Sequence, residues 1–267
     1  MSQSLLFSGL LLRAVVAGSL LGLACGLLGV FLVLRRDAMI SHGLSHLAFA
    51  GVALGLLLNL MPVLVSVGIC LLGSLLILQL KEQGKLPGDT LIGILSSAGM
   101  ALAIFLMSVK RDFGAELVAY LFGDILAIAP LEVYLAAGLV CLVLAGIFFN
   151  FPRLVFMTFD RDSAAASGIP VKKLDRLLVV LTAVTIVLGI RVVGLLLVTG
   201  LTVIPAASAL QLSPNFRLTL FLSSIFSLLS IIGGILLAYL FNLPASAAII
   251  FLALFLFGLS FLFKKLS

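Results

Sequence analysis

This 267-residue sequence predicts an all-α fold, a polytopic transmembrane helical bundle of about eight spans with short re-entrant or interfacial helices. Composition is the first observation behind that expectation. Hydrophobic residues make up 63% of the chain and charged residues 10%, whereas soluble domains carry about a quarter of their residues as Asp, Glu, Lys and Arg. A polar shell that thin cannot cover a water-exposed surface, which excludes a cytosolic enzyme, a disordered protein and a nucleic-acid-binding module. The second observation is the placement of charge. The formal charge is +6, but the 16 basic residues mostly flank apolar runs, as loop determinants of membrane topology do. The third is the length of those runs, since crossing the hydrocarbon core takes about 20 mostly apolar residues.

In chain order, eight stretches qualify: 10–34, 39–60, 62–80, 91–109, 131–150, 177–198, 218–240 and 244–263. The first continues to Leu34, too long for the apolar core of a signal peptide, so no removable leader is expected. The segment 117–129 is too short to cross and contains Asp124, and reads as an interfacial or re-entrant helix. The stretch 199–212 is semi-polar and interrupted by Pro205, so it too is a candidate for lining a path. Arg35–Arg36, Lys81 with Lys85, and Arg153 to Arg176 follow spans one, three and five, and agree on a cytoplasmic side if the N-terminus is outside. Lys110–Arg111 and Lys264–Lys265 disagree, and a ninth crossing would move the C-terminus inside. Gly18, Gly22 and Gly26, like Gly51 and Gly55, are spaced for close helix approach, with intramolecular packing favoured over a dimer seam. Cys25, Cys70 and Cys141 lie far apart inside apolar runs and read as small hydrophobes.

The largest soluble-looking segment, 151–176, is too short to be a domain, so 1–267 reads as one transmembrane domain. Asp160 or Asp162 can N-cap a short helix over Ser163 to Ser167, with Gly168 at its C-cap and Pro170 beyond. Such a helix suits docking into another protein's groove, and a well-formed loop is the equal alternative.

Ionisable groups near the bilayer are functional candidates by default. His42 and His46, the only histidines, are four residues apart at the start of the second span, so a helix projects both imidazoles from one face. That spacing can hold one divalent ion, and imidazole suits zinc, copper, iron and nickel. The register resembles H-E-x-x-H, but Gly43 stands where that chemistry needs Glu, so no hydrolytic zinc site is supported. Gly84–Lys85 is followed by Leu86, and no phosphate-binding loop exists for ATP hydrolysis. All ten acidic residues lie at or before Asp175. Asp37, Glu116 and Asp124 are therefore the only other strong ligands near the membrane, with Asp37 and Asp124 as candidate metal ligands. The set describes a weak transit site, since structural zinc usually takes four protein ligands. Arg191 is the one basic group deep in a span, with snorkelling favoured over a substrate role.

Six segments together carry a family likeness: RRDAMISHGLSHLAFAGVALG (35–55), LIGILSSAGMALA (91–103), AYLFGDILAI (119–128), FDRDSAAASGIPV (159–171), VVGLLLVTGLTVIPAASA (192–209) and FNLPASAAIIF (241–251). In these the chain resembles the permeases of metal-ion ATP-binding-cassette importers, which carry zinc, manganese or iron, and among them the zinc permeases most. The resemblance implies a homodimer in the cell (inner) membrane, surrounded by lipid. It also implies two separate ATPase subunits and a metal-binding receptor outside, with no permanently bound cofactor. It makes 159–169 the coupling helix, with Asp160, Asp162, Ala164, Ala165 and Gly168 as coupling residues, and maps the family's intramembrane pair onto His42 and His46. Two departures remove negative charge: His42 and Asn242 stand where the family commonly has Asp. Imidazole in place of carboxylate favours zinc over hard manganese. The competing readings are a manganese or iron importer, an intramembrane metal-dependent enzyme using the same histidines, and a secondary transporter. Gly43 argues against the enzyme, and the lack of a deep acidic coupling residue argues against the secondary transporter.

Overall fold

The computed structural model describes residues 2–84, 86–109, 114–123 and 129–266. Lys85, Lys110 and Arg111, which bear on the topology, and Asp124, a candidate ligand, lie outside the described residues. The chain forms α1 (Ser2–Leu34), α2 (Met39–Leu57), α3 (Pro62–Glu82), α4 (Gly88–Val109), α5 (Gly114–Phe122) and α6 (Pro130–Phe159). It continues as α7 (Arg161–Ala166), α8 (Val171–Val192), α9 (Leu195–Leu212), α10 (Phe216–Phe241) and α11 (Ala245–Leu266). Seven single helices are long and apolar enough to cross a membrane, and α8 and α9 pass the same test only together, as a pair bent at their junction. Helices are the expected answer in lipid, because every backbone polar group must be satisfied within its own segment.

α1 is the central element. Ala14, Ala17, Leu21, Ala24, Leu28 and Phe31 are all buried. Its glycines pack within the chain, as expected: a Cβ on Gly22 would meet Ser227 and Ile231, and one on Gly26 would meet the Ser223 backbone. The hydroxyls of Ser227 and Ser223 donate to the carbonyls of Gly22 and Gly26, each at 2.8 Å, tying α10 to α1. Gly51 and Gly55 likewise admit Ser66 and Pro62 of α3. Large apolar side chains on α3, α4, α6, α10 and α11, among them Leu72, Phe105, Phe148 and Phe251, point outward, which suits lipid rather than water.

Two boundaries differ from expectation for the same reason. α6 runs nine residues past 150, and α8 begins six residues before 177. Charged and Pro-containing turns lengthen these helices beyond the apolar layer, where a hydropathy reading stops. A third difference is topological. The stretch expected to span 177–198 breaks at Val193–Gly194, where the axes of α8 and α9 turn by 118°. Gly194 takes φ +94°, a region closed to most side chains. A Cβ there would sit 2.4–2.6 Å from the backbone of Phe122 and Gly123. Pro205, the expected break, lies inside the continuous helix α9.

The bend sets where the C-terminal half lies. α8 starts beside Arg35 and ends near Ile235 and Ala238 at the far end of α10. α9 then returns, with Gly200 beside Ile250 and Thr202 beside Gly29, and joins α10 at Phe216, whose ring meets Phe31 at 5.3 Å. Thus Arg35, Lys81, Arg161, Arg217 and the last turn of α11 share one end of the bundle. That basic end is the cytoplasmic one by the positive-inside rule, which reconciles Lys264 with the other loops.

Candidate metal site and coupling helix

His42 and His46 lie in the first two turns of α2. At about 1.5 Å per residue, His46 is roughly 10 Å from the start of the helix at Met39. The i, i+4 spacing brings the two Nε2 atoms to 3.3 Å. The rings meet edge-to-face, with centroids 4.7 Å apart and planes at 84°. His42 is exposed and His46 half-buried, so the pair opens to the outside of the subunit.

Its surroundings are set by close backbone contact. Gly43 accommodates Ile92 of α4, and Gly99 of α4 packs on the carbonyl of His46. Ser41 and Ser45 are fully buried, and their hydroxyls donate to the carbonyls of Ala38 and His42, both at 2.7 Å. They serve the helix backbone, not the pair. Among the described residues, Nδ1 of His46 is buried with no hydrogen-bond partner. A metal-bound histidine usually donates its second ring N–H to a carboxylate or carbonyl that fixes the ring; this one is held loosely.

Asp37, a candidate ligand by sequence, is engaged elsewhere. Its carboxylate pairs with Lys81 at 2.5 Å and lies 3.7 Å from Arg35. Among the described residues no group of three or more His, Cys, Asp or Glu could hold a metal ion. Among the described residues the two histidines therefore stand as a pair. Asp124 lies outside the described residues.

The short helix predicted over Ser163 to Ser167 is α7. Asp160 is its cap, accepting the Ser163 N–H at 2.9 Å. Bonding from the Ser163 hydroxyl and N–H holds the Asp160 carboxyl below the usual carboxylate range. Gly168 follows at φ +79°, with open space around it, closing the helix as a left-handed C-terminal residue. Asp160, Asp162, Ala165 and Gly168 are exposed, but Ala164 is fully buried and packs into the bundle. Of the six residues of α7 only Ala164 is buried, a distinction the sequence likeness alone did not make.

Sequence reading assigned Arg191 to snorkelling. It instead joins three elements, donating from Nε to Glu132 of α6 at 2.5 Å and from Nη1 to Tyr120 of α5 at 2.6 Å. Together with the crossing of Gly123 over Gly194, this pins α5 to the α8–α9 bend. The neighbouring Gly in RVVG was the available signal.

A match to the ABC 3 transport family runs from residue 8 to residue 264. The chain belongs to the ABC 3 family. It is 34% identical over 257 residues to the high-affinity zinc uptake system membrane protein ZnuB of Haemophilus influenzae, covering 96% of this chain and 98% of ZnuB. It is 31% identical over 262 residues to the manganese transport system membrane protein MntC of Halalkalibacterium halodurans, covering 98% and 90%. The structure of PsaBC from Streptococcus pneumoniae in complex with Fab contains a chain that superposes with a TM-score of 0.85 at 31% identity, covering 94% of this chain and 91% of that one. As an ABC 3 member the protein is a multi-pass membrane permease of the metal-ion importers, as the six sequence segments implied.

Proposed function

We propose that this ABC 3 permease carries zinc, with His42 and His46 as transient ligands along the path and α7 as the surface through which separate ATPase subunits act on it. A metal-binding receptor outside delivers the ion, and two copies of the chain flank the path. The observation that carries the reading is the 3.3 Å between the two Nε2 atoms. Two imidazole nitrogens at ~2.05 Å from one tetrahedral zinc ion are separated by about 3.3 Å, so the pair needs almost no rearrangement to share an ion. The donor set supports zinc over manganese, because neutral imidazole suits the borderline ion and the carboxylate of Asp37, a few residues before the pair, is engaged by Lys81. Two ligands and a loosely held ring make a site that an ion can leave, as transit requires. The likeness to MntC keeps manganese as the second reading.

The test is radiolabelled zinc uptake in importer-deficient cells expressing the chain with its own ATPase and receptor. At matched membrane levels, the His42→Ala/His46→Ala variant is expected to lose uptake. Uptake equal to wild type would make the histidines structural. Manganese outcompeting zinc at equal concentration would replace the metal assignment while leaving the pathway.

A further inference from the structure

Five charged side chains at the cytoplasmic end alternate in sign across four elements. Arg161, the first residue of α7, donates to Oδ2 of Asp175 on α8 at 2.7 Å. The other oxygen of Asp175 accepts Arg35, in the turn after α1. Arg35 lies 3.7 Å from Asp37, whose second oxygen accepts Lys81, near the end of α3, at 2.5 Å. Both carboxylates are buried, with Asp175 3% and Asp37 9% exposed. The carbonyl of Asp37 accepts the N–H of Ile40 at 2.9 Å, which locks this residue to the first turn of α2. His42 follows five residues later on that same helix.

We propose that the chain Arg161–Asp175–Arg35–Asp37–Lys81 transmits displacement of α7 to the histidine-bearing turns of α2, its members acting as positioning residues for metal release. The proposal rests on the reading of α7 as the ATPase-facing helix. The chemistry favours a link over simple cohesion for three reasons. Asp175 gives each oxygen to a guanidinium from a different element, so moving one arginine pulls on the other; hydrogen-bonded ion pairs of this kind are directional. Among the described residues, Arg161–Asp175 is the one side-chain hydrogen bond joining α7 to a spanning helix. A cavity of about 320 Å³ borders the cluster, lined by Arg35, Asp37, Lys81, Arg161 and Asp175 among others, so the side chains have room to shift together. A packed apolar contact would offer neither the direction nor the room.

The test uses the full complex of permease, ATPase and receptor in proteoliposomes, reading zinc moved per ATP hydrolysed alongside ATPase retention on the purified permease. Arg161 is half exposed and Asp175 keeps Arg35 as its second partner, so Arg161→Gln, whose amide can still donate to Asp175, is expected to keep the fold. It is expected to keep the ATPase bound and hydrolysing while transport per ATP falls roughly tenfold, within the usual range of inter-site coupling. Arg161→Lys, which keeps one charged bond, is expected to restore most of it, and Asp175→Asn to match the loss. Unchanged transport per ATP in Arg161→Gln overturns the proposal. So does loss of the bound ATPase in that variant, which would make Arg161 a docking residue. Ala165→Arg, on the exposed side of α7 and away from the ion chain, tests the underlying reading. Loss of ATPase there supports α7 as the contact, and retention overturns that reading and with it the link, independently of the Arg161 result.

Discussion

Alanine at position 99 would place its methyl 2.8 Å from the His46 carbonyl oxygen, 2.9 Å from the carbonyl carbon and 3.0 Å from the Leu47 amide nitrogen. Comfortable carbon–oxygen contacts begin at about 3.3 Å, and all three obstacles are backbone, so no side chain can swing aside. α4 must retreat from α2 by roughly half an ångström at His46, one of the two proposed ligands. Overpacking of this kind costs about 1–3 kcal/mol, against which alanine returns up to ~1 kcal/mol of helix propensity. Gly93, six residues earlier on the same helix, isolates the steric part, because among the described residues nothing lies within 4 Å of its added Cβ. Gly93→Ala is therefore expected to leave zinc uptake unchanged and raise the melting temperature slightly. Gly99→Ala is expected to lose that gain and to cut uptake several-fold, since a ligand pair tolerates only about 0.5 Å of misplacement. Uptake and thermal melting of both variants at matched expression provide the comparison. If Gly99→Ala transports and melts like Gly93→Ala, contact between α4 and α2 does not set the histidine geometry.

Other outcomes follow from the same structure. Gly194→Ala meets both a positive φ and backbone at 2.4 Å; the conformational part alone costs roughly 1–3 kcal/mol, and a melting temperature equal to wild type would refute the account of the bend. Tyr120→Phe removes one hydrogen bond to Arg191, worth about 1 kcal/mol, and a drop of a few degrees in melting is expected with the fold retained. Asp160→Ala is expected to weaken ATPase retention while Asp160→Asn, which can still cap, preserves it. Because the Asp160 carboxyl sits below its ordinary range, the cap is present above the free-carboxyl value near ~3.9 and lost only as pH falls through the lowered value; retention should therefore be flat between about pH 5 and 8. For topology, Met61→Cys in a Cys141→Ser background should react with impermeant maleimide on intact cells, and Ser167→Cys only after permeabilisation. Reversed labelling would invert the orientation.

Most of the fold was legible because lipid imposes one solution: long apolar runs became helices, and Gly22, Gly26, Gly51 and Gly55 marked where backbones meet. Capping chemistry was legible for the same local reason, and Asp160, Ser163 and Gly168 delimit α7 much as their residue types suggest. What hydropathy could not show was the α8–α9 bend. Leucines and valines run unbroken through Val193–Gly194, and only the crossing with Gly123, seventy-one residues away in sequence, makes that glycine necessary. Pro205 misled for the complementary reason: buried helical neighbours let α9 continue through it. Asp37 was read as a candidate ligand because its partner Lys81 is distant in sequence, so neutralisation is invisible until α2 and α3 are brought together.

These features combine into one division of labour within α2. Glycines 43, 51 and 55 seat the helix closely against Ile92, Ser66 and Pro62, so α2 is packed tightly along its length. Its histidines are the opposite, two rings at an open face, one with an Nδ1 that has no partner among the described residues. A tightly packed helix with weakly held ligands can present an ion in one position and release it in another, provided something turns the helix from its cytoplasmic end. Asp37 sits at that end, bonded into α2 through its carbonyl and into the ion chain through its carboxylate. Strengthening the site would defeat it: adding a third strong ligand beside the pair should raise zinc retention in the purified permease and lower turnover. A variant that gained both would show that ligand weakness is incidental to transport.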